Sequence, residues 1–174
     1  MIKKILLFMV VVLLVQSSIA CERKTEAKLD GGNPPVFAVW AGTGELWFAS
    51  IGEYRPDKSL KPSERWHELW RVEPATDSSG QRTGKYTWEL GTITYGVVPE
   101  GYAQRVPSQG VPPALVPGKS YTYSFKTDNG MPANGQFEIR DNKAVPIKLN
   151  VDCYHVENDG KEIEAPCYRP DDGQ

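Results

Sequence analysis

Proline and glycine set the limits on what this chain can fold into. All 14 prolines and all 16 glycines lie beyond residue 20, where they make up about a fifth of the residues, against an average near 12%. Proline removes a backbone donor and clashes with the preceding helical turn, and glycine weakens helix and strand interiors alike. Spread along the chain, these residues suit short strands joined by tight turns. Between Pro99 and Gly118, five prolines and three glycines fall within twenty residues. That density excludes a helix or a central strand there. A short edge strand at Tyr102, Gln104 and Val106, followed by an extended wrap over the domain, fits this stretch.

Between these breaks the apolar residues recur at period 2, the signature of half-buried strands. Tyr121, Tyr123 and Phe125 face one way, and Ser120, Thr122, Ser124 and Lys126 the other. Phe137 and Ile139 follow a turn, and then Val145, Ile147, Leu149, Val151 and Cys153 read as five inward positions. A last strand offers Ile163, Ala165 and Cys167. Earlier in the chain, Val36–Ala41 and Leu46–Ile51 look like the arms of a hairpin around Gly42–Glu45. Trp66, Trp70 and Val72 share a strand face. Tyr86, Trp88 and Leu90 begin another strand, whose phase slips at Gly91 to Ile93, Tyr95 and Val97, as at a β-bulge or a change of sheet. No segment carries a sustained 3.6-residue stripe. The expected class is all-β.

The first twenty residues belong to a different kind of segment. Lys3 and Lys4 precede an unbroken apolar run from Ile5 to Val15, and Gln16, Ser17 and Ser18 end it. Eleven apolar residues fall short of the roughly 20 that cross a bilayer, so the layout is that of a secretory signal peptide. Ser18-Ile19-Ala20-Cys21 resembles the lipobox of bacterial lipoproteins, with a serine where an aliphatic residue is usual. That resemblance implies diacylglycerol on the Cys21 thiol, cleavage before it and an acyl chain such as palmitate on the new amine. Glu22 then implies the outer rather than the inner membrane, facing the periplasm, in a Gram-negative envelope. The expected organisation is a signal peptide over 1–20, a lipid-bearing cysteine and flexible tether over 21–35, and one β-domain over 36–174.

Leu115-Val-Pro-Gly-Lys-Ser-Tyr121-Thr-Tyr123 resembles the entry to the sixth strand of fibronectin type III and related immunoglobulin-like sandwiches. There a leucine, Pro-Gly and a tyrosine form a tyrosine corner. The wider run from Ile93 to Phe125 is similar to a pattern in small bacterial envelope lipoproteins. Together these imply an immunoglobulin-like β-sandwich in the cell envelope, and no particular activity.

Chemistry-bearing residues are few. If Cys21 carries lipid, Cys153 and Cys167 remain to pair in an oxidising compartment. A hairpin folded about Gly160 would set them opposite each other. A metal site of Cys153, His155 and Cys167 is the alternative, and it lacks a fourth ligand. No nucleophile elbow, zinc-protease helix or calcium loop is present, and Gly42-x-Gly44 lacks the rest of a dinucleotide fingerprint. No catalytic residue, metal or cofactor is therefore expected, although abundant acidic residues leave a carboxylate-based glycan hydrolase as the enzyme alternative. Trp40 and Trp47 are candidate partner-binding residues, as a platform for sugar rings or a protein. Without Lys3 and Lys4 the chain holds 18 basic and 22 acidic residues, a net charge of −4, which argues against nucleic acid. The expectation is a membrane-anchored, non-enzymatic binding or scaffold module for an envelope protein or glycan, with a periplasmic inhibitor or immunity protein as the variant within that class. Cys21→Ser should abolish labelling by a fatty-acid analogue and either release the protein from membranes or leave its signal uncleaved; unchanged labelling would place the lipid elsewhere or overturn the lipobox reading.

Overall fold

The computed structural model describes residues 24–147 apart from Thr43, Pro56 and Lys58, together with the backbone of Cys153–Val156 and Glu162–Ala165. Within them the chain is almost entirely β. The strands are β1 (Thr25–Leu29), β2 (Val36–Ala41), β3 (Leu46–Tyr54), β4 (Trp66–Pro74), β5 (Thr92–Thr94), β6 (Tyr102–Val106), β7 (Ser120–Thr127), β8 (Ala133–Arg140), β9 (Lys143–Ile147), β10 (Cys153–Val156) and β11 (Glu162–Ala165). A single 3-10 turn (Pro62–Arg65) and one short helix, α1 (Thr87–Leu90), interrupt them.

Two antiparallel sheets form the sandwich. The smaller runs β1-β2-β5 and the larger β6-β4-β3-β7-β8-β9, while β10 and β11 pair with each other. All-β architecture and the immunoglobulin-like sandwich are thus as the sequence implied, with β6 and β9 added at the two edges of the larger sheet. The core lies between the sheets. Phe37 of β2 meets Tyr123 and Phe125 of β7, each with ring centroids 5.0 Å away, and Phe137 of β8 at 5.9 Å. Val39, Ile93, Leu46, Ala49, Ile51, Trp70, Val72 and Ile139 complete the buried set.

Four expectations are corrected here. Residues 24–35 are not a tether throughout: β1 pairs with β2 along its length, Thr25 opposite Ala41 and Leu29 opposite Phe37. The charged alternation Glu26, Lys28 faces solvent while Thr25 is buried, so this is an edge strand with a polar outer face. Second, β2 and β3 are not a hairpin, because they belong to different sheets. Residues 42–45 carry the chain from one sheet to the other. Third, Tyr86, Trp88 and Leu90 are not strand residues. Thr87–Leu90 is a helical turn, and Gly91 at φ +64° ends it, which is the source of the phase slip. Fourth, β9 has the opposite parity: Ala144, paired with Ile139, is the buried residue, whereas Val145 sits opposite Glu138 on the outer side. The turn at Asp141-Asn142, both at positive φ, sets that register.

The hairpin β10–β11 exists, but its register places Ala165 opposite Cys153, two residues short of the pairing expected about Gly160. Cys167, Leu149, Val151, the signal segment and Cys21 lie outside the described residues.

The tyrosine corner is present. The Tyr121 hydroxyl accepts the Val116 amide at 2.7 Å and lies 3.4 Å from the Val116 carbonyl. Gly118, at φ +77°, turns the chain between them, and its amide donates to Ile139 of β8 at 3.0 Å. Tyr121 is buried and stacks on Phe137, so its ring is core and only its hydroxyl is spoken for by the loop. Tyr121→Phe should leave the Val116 amide without its partner and cost about 1–3 kcal/mol. In urea unfolding the midpoint should fall with an unchanged slope.

Candidate functional site

Nine large apolar side chains are exposed among the described residues, and they fall at the two ends of the sandwich. Trp40 (43% exposed), Trp47 (45%), Tyr86 (40%), Trp88 (70%) and Met131 (48%) lie at the end where β2 hands over to β3. Val97, Val98, Val111 and Val116 lie at the other.

The aromatic end is built on the sheet-to-sheet crossing. Gly42, at φ +80°, packs so closely that a Cβ there would lie 2.8 Å from the Thr127 hydroxyl and 3.0 Å from that of Thr25. Those two hydroxyls are buried and bonded to each other at 3.1 Å, which ties β1 to β7. The Thr25 amide donates to the Met131 carbonyl and the Asp128 amide to the Glu45 carbonyl, both at 3.0 Å. The crossing, the first strand and the β7–β8 turn are therefore one hydrogen-bonded unit.

Tyr86 and Trp88 are held beside it. Glu45 and Tyr86 form an isolated antiparallel bridge, and the Leu46 amide donates to the Lys85 carbonyl at 3.0 Å. The Lys85 amide donates to the Tyr102 hydroxyl at 3.0 Å, and that oxygen lies 3.1 Å from the Leu46 and Lys85 carbonyls, one of which takes its proton. Glu89 reaches back to accept the Tyr86 amide at 2.9 Å, as in a capping box. The two rings stack at 4.3 Å with planes 13° apart. This leaves Trp88 outermost on a rigid base.

Trp47 sits at a register irregularity between Leu46 and Phe48. The Arg82 guanidinium lies 5.0 Å and the Lys126 ammonium 5.8 Å from its ring, within cation–π range. Arg82 also pairs with Asp128 at 3.1 Å. Trp40 stands on the outer side of the small sheet, since Phe37 and Val39 point inward, whereas Trp47 belongs to the large sheet. The two tryptophans share an end of the molecule but not one flat platform. Sequence reasoning missed Tyr86 and Trp88 as surface residues. Half of a signal was there: Gly91 is a helix stop and Glu89 can reach back to the Tyr86 amide. Tyrosine is not a capping side chain, so no start pattern marks the turn.

At the opposite end a cavity of about 340 Å³ is lined by Asn33, Pro34, Tyr95, Gly96, Val111, Pro112, Ala114 and Leu115. None of these is acidic or nucleophilic. The Tyr95 hydroxyl donates to the Pro113 carbonyl at 2.7 Å, and the Asn33 amide donates to Asn142 at 2.9 Å; both fix the walls.

Elsewhere, Glu68 and Glu73 of β4 are drawn together by Arg71, at 3.5 and 2.7 Å, with Arg105 also 3.4 Å from Glu73. Burial raises the Glu68 carboxyl, and Arg71 opposes that rise. Two guanidiniums thus neutralise two carboxylates on a sheet face away from the cavity, an arrangement that suits an ion network. His67 is exposed, and the side chains of Cys153 and His155 lie outside the described residues. Among the described residues, no group of three or more His, Cys, Asp or Glu is placed to hold a metal, and no helix is long and apolar enough to cross a membrane.

Comparison with known proteins adds little. No protein-family model matches the chain, and no solved structure matches it. A stretch of 78 residues is 33% identical to "Pollen allergen Phl p 1" of Phleum pratense, covering 41% of this chain and 30% of that protein. The chain thus spans under a third of the length of this relative.

Burial pushes the Tyr102 phenol up to about 12 and raises Tyr123 as well. A phenol whose folded pKa exceeds its unfolded value near 10 contributes stability that is complete below pH 10 and lost as pH climbs towards 12. The urea midpoint should therefore hold steady to about pH 10 and then fall. Tyr102→Phe should flatten that fall, and an unchanged pH profile in the variant would contradict the role given to this hydroxyl.

Proposed function

We propose that the chain is an exported lipoprotein, anchored through acyl chains on Cys21, whose sandwich is a non-enzymatic binding or scaffold module of the cell envelope. Cys153 and Cys167 pair as a disulfide in that compartment, a pairing that rests on cysteine parity and compartment and not on the strand register, which sets Cys153 opposite Ala165. The observation that carries the binding reading is the cavity between Asn33 and Leu115, with exposed Val111 at its rim and Val97 and Val98 at the same end. Its volume lies within the usual range of ligand pockets, about 300–1,000 Å³. Its walls combine the polar side chains of Asn33 and Tyr95 with proline and aliphatic groups and hold no carboxylate, thiol or histidine, which suits recognition better than turnover. It lies at the far end of β2 from Thr25, and so at the end remote from the proposed anchor. An inhibitor or immunity protein would use the same surface.

The test is affinity capture from detergent-solubilised membranes with the full lipidated chain. A stoichiometric envelope partner should co-purify, and Val111→Glu, a change at an exposed side chain, should reduce its recovery at least tenfold. Turnover of cell-wall fragments by the purified protein would overturn the non-enzymatic reading.

A further inference from the structure

The aromatic end and the anchor coincide. Only three residues separate Cys21 from Thr25, and a fully extended chain covers at most about 3.5 Å per step, or roughly 14 Å over the four steps. Thr25 is not free to move away from the sandwich. It is buried, its amide is bonded to Met131, and its hydroxyl to Thr127. β1 runs from this end towards the other, and six-residue β2 beside it is about 20 Å long at roughly 3.3 Å per residue. A membrane-embedded Cys21 therefore reaches the Thr25 end directly, while presenting the distal end to the same surface would require a longer leash than the chain has.

We infer that this end, with Trp40, Trp47, Tyr86, Trp88 and Met131, is a membrane-contact surface that seats on the headgroup region of the bilayer bearing the Cys21 lipid. The inference rests on the lipoprotein reading and adds a fixed orientation to it. Tryptophan and tyrosine favour the membrane–water interface, where an apolar ring and a polar edge are both satisfied. Trp88 is the most exposed of them; it stacks on Tyr86, whose backbone is held by Glu89 and the bridge to Glu45, next to Lys85 held by the Tyr102 hydroxyl. Arg82 and Lys126 flank Trp47, and long basic side chains can extend their heads towards phosphates while their stems remain apolar. An end so exposed to water costs solubility in a free domain; against a bilayer held within about 14 Å, it is covered.

The test uses the lipidated full chain in vesicles of phosphatidylethanolamine and phosphatidylglycerol brominated at acyl carbons 6 and 7. Tryptophan fluorescence should fall by about a third or more relative to unbrominated vesicles, and iodide in the bulk should quench less than it does in a soluble chain that starts at Glu22 and carries no lipid. Trp88→Phe should remove a large share of the bromine quenching without changing the circular dichroism. If the protein floats with the vesicles but bromine does not quench it, the anchor stands and the seated orientation is wrong. If it does not float, the lipoprotein reading itself fails and this inference with it. Quenching equal in wild type and in a Trp40→Phe, Trp47→Phe, Trp88→Phe triple variant would also overturn it. So would fluorescence that responds to soluble sacculus fragments and not to brominated lipid, since the surface would then belong to a glycan.

Discussion

The contact on which the rest of the architecture depends is that of Phe37 with Tyr123, Phe125 and Phe137. One ring from the small sheet touches three from two strands of the large one. Burying an aromatic side chain of this kind contributes on the order of 1.5–3 kcal/mol, and tilted or edge-on pairs add about 0.5–1.5 kcal/mol each beyond area. With β2 fixed in this way, β1 and β5 pair on either side of it. The chain leaving β2 at Ala41 must then cross to the large sheet, and the absence of a side chain at Gly42 lets it cross against the Thr25–Thr127 pair. The aromatic end is a consequence of that crossing: the residues on either side of it, Trp40 and Trp47, emerge from different sheets at the same end.

The fold has a polarity that its secondary structure alone does not suggest. The termini of β1 and β7, the crossing and α1 gather at one end with tryptophan, tyrosine and methionine exposed. Prolines, valines and the cavity gather at the other. The wrap from Pro107 to Pro117 is responsible for the second end. Proline-rich backbone that cannot join a ladder lies over the small sheet's margin, and Tyr95 ties it down through Pro113. A short-leashed lipoprotein would then meet its membrane and its partner with opposite ends.

The class was legible because period-2 alternation and proline placement report directly on backbone hydrogen bonding. The tyrosine corner was legible because Leu115, Gly118 and Tyr121 encode a local geometry. What was misread turned on information that is not local. Val36–Ala41 and Leu46–Ile51 have the composition of a hairpin, and nothing within them distinguishes pairing with each other from pairing with strands in two sheets. Thr25–Leu29 was hidden because an edge strand with one polar face resembles a solvated linker. The parity of β9 depends on a two-residue turn at positive φ, Asp141-Asn142, rather than on which of Ala144 and Val145 is more hydrophobic. Of the exposed aromatic end, Trp40 and Trp47 stand out in the sequence because they flank Gly42–Glu45, and both are exposed although that segment is no hairpin turn. Tyr86 and Trp88 were lost because a strand was read where Gly91 ends a single helical turn.

The central claim is that the chain changes sheets between β2 and β3, so that β1, not β3, is the partner of β2. Cross-strand nuclear Overhauser contacts in the labelled domain test it directly. Backbone contacts linking Ala27 with Val39 and Phe37 with Ile93, together with side-chain contacts from Phe37 to Phe125, are the predicted result. A ladder of backbone contacts joining Val36–Ala41 to Leu46–Ile51 would contradict it, and would dissolve both the shared anchor end and the orientation built on it.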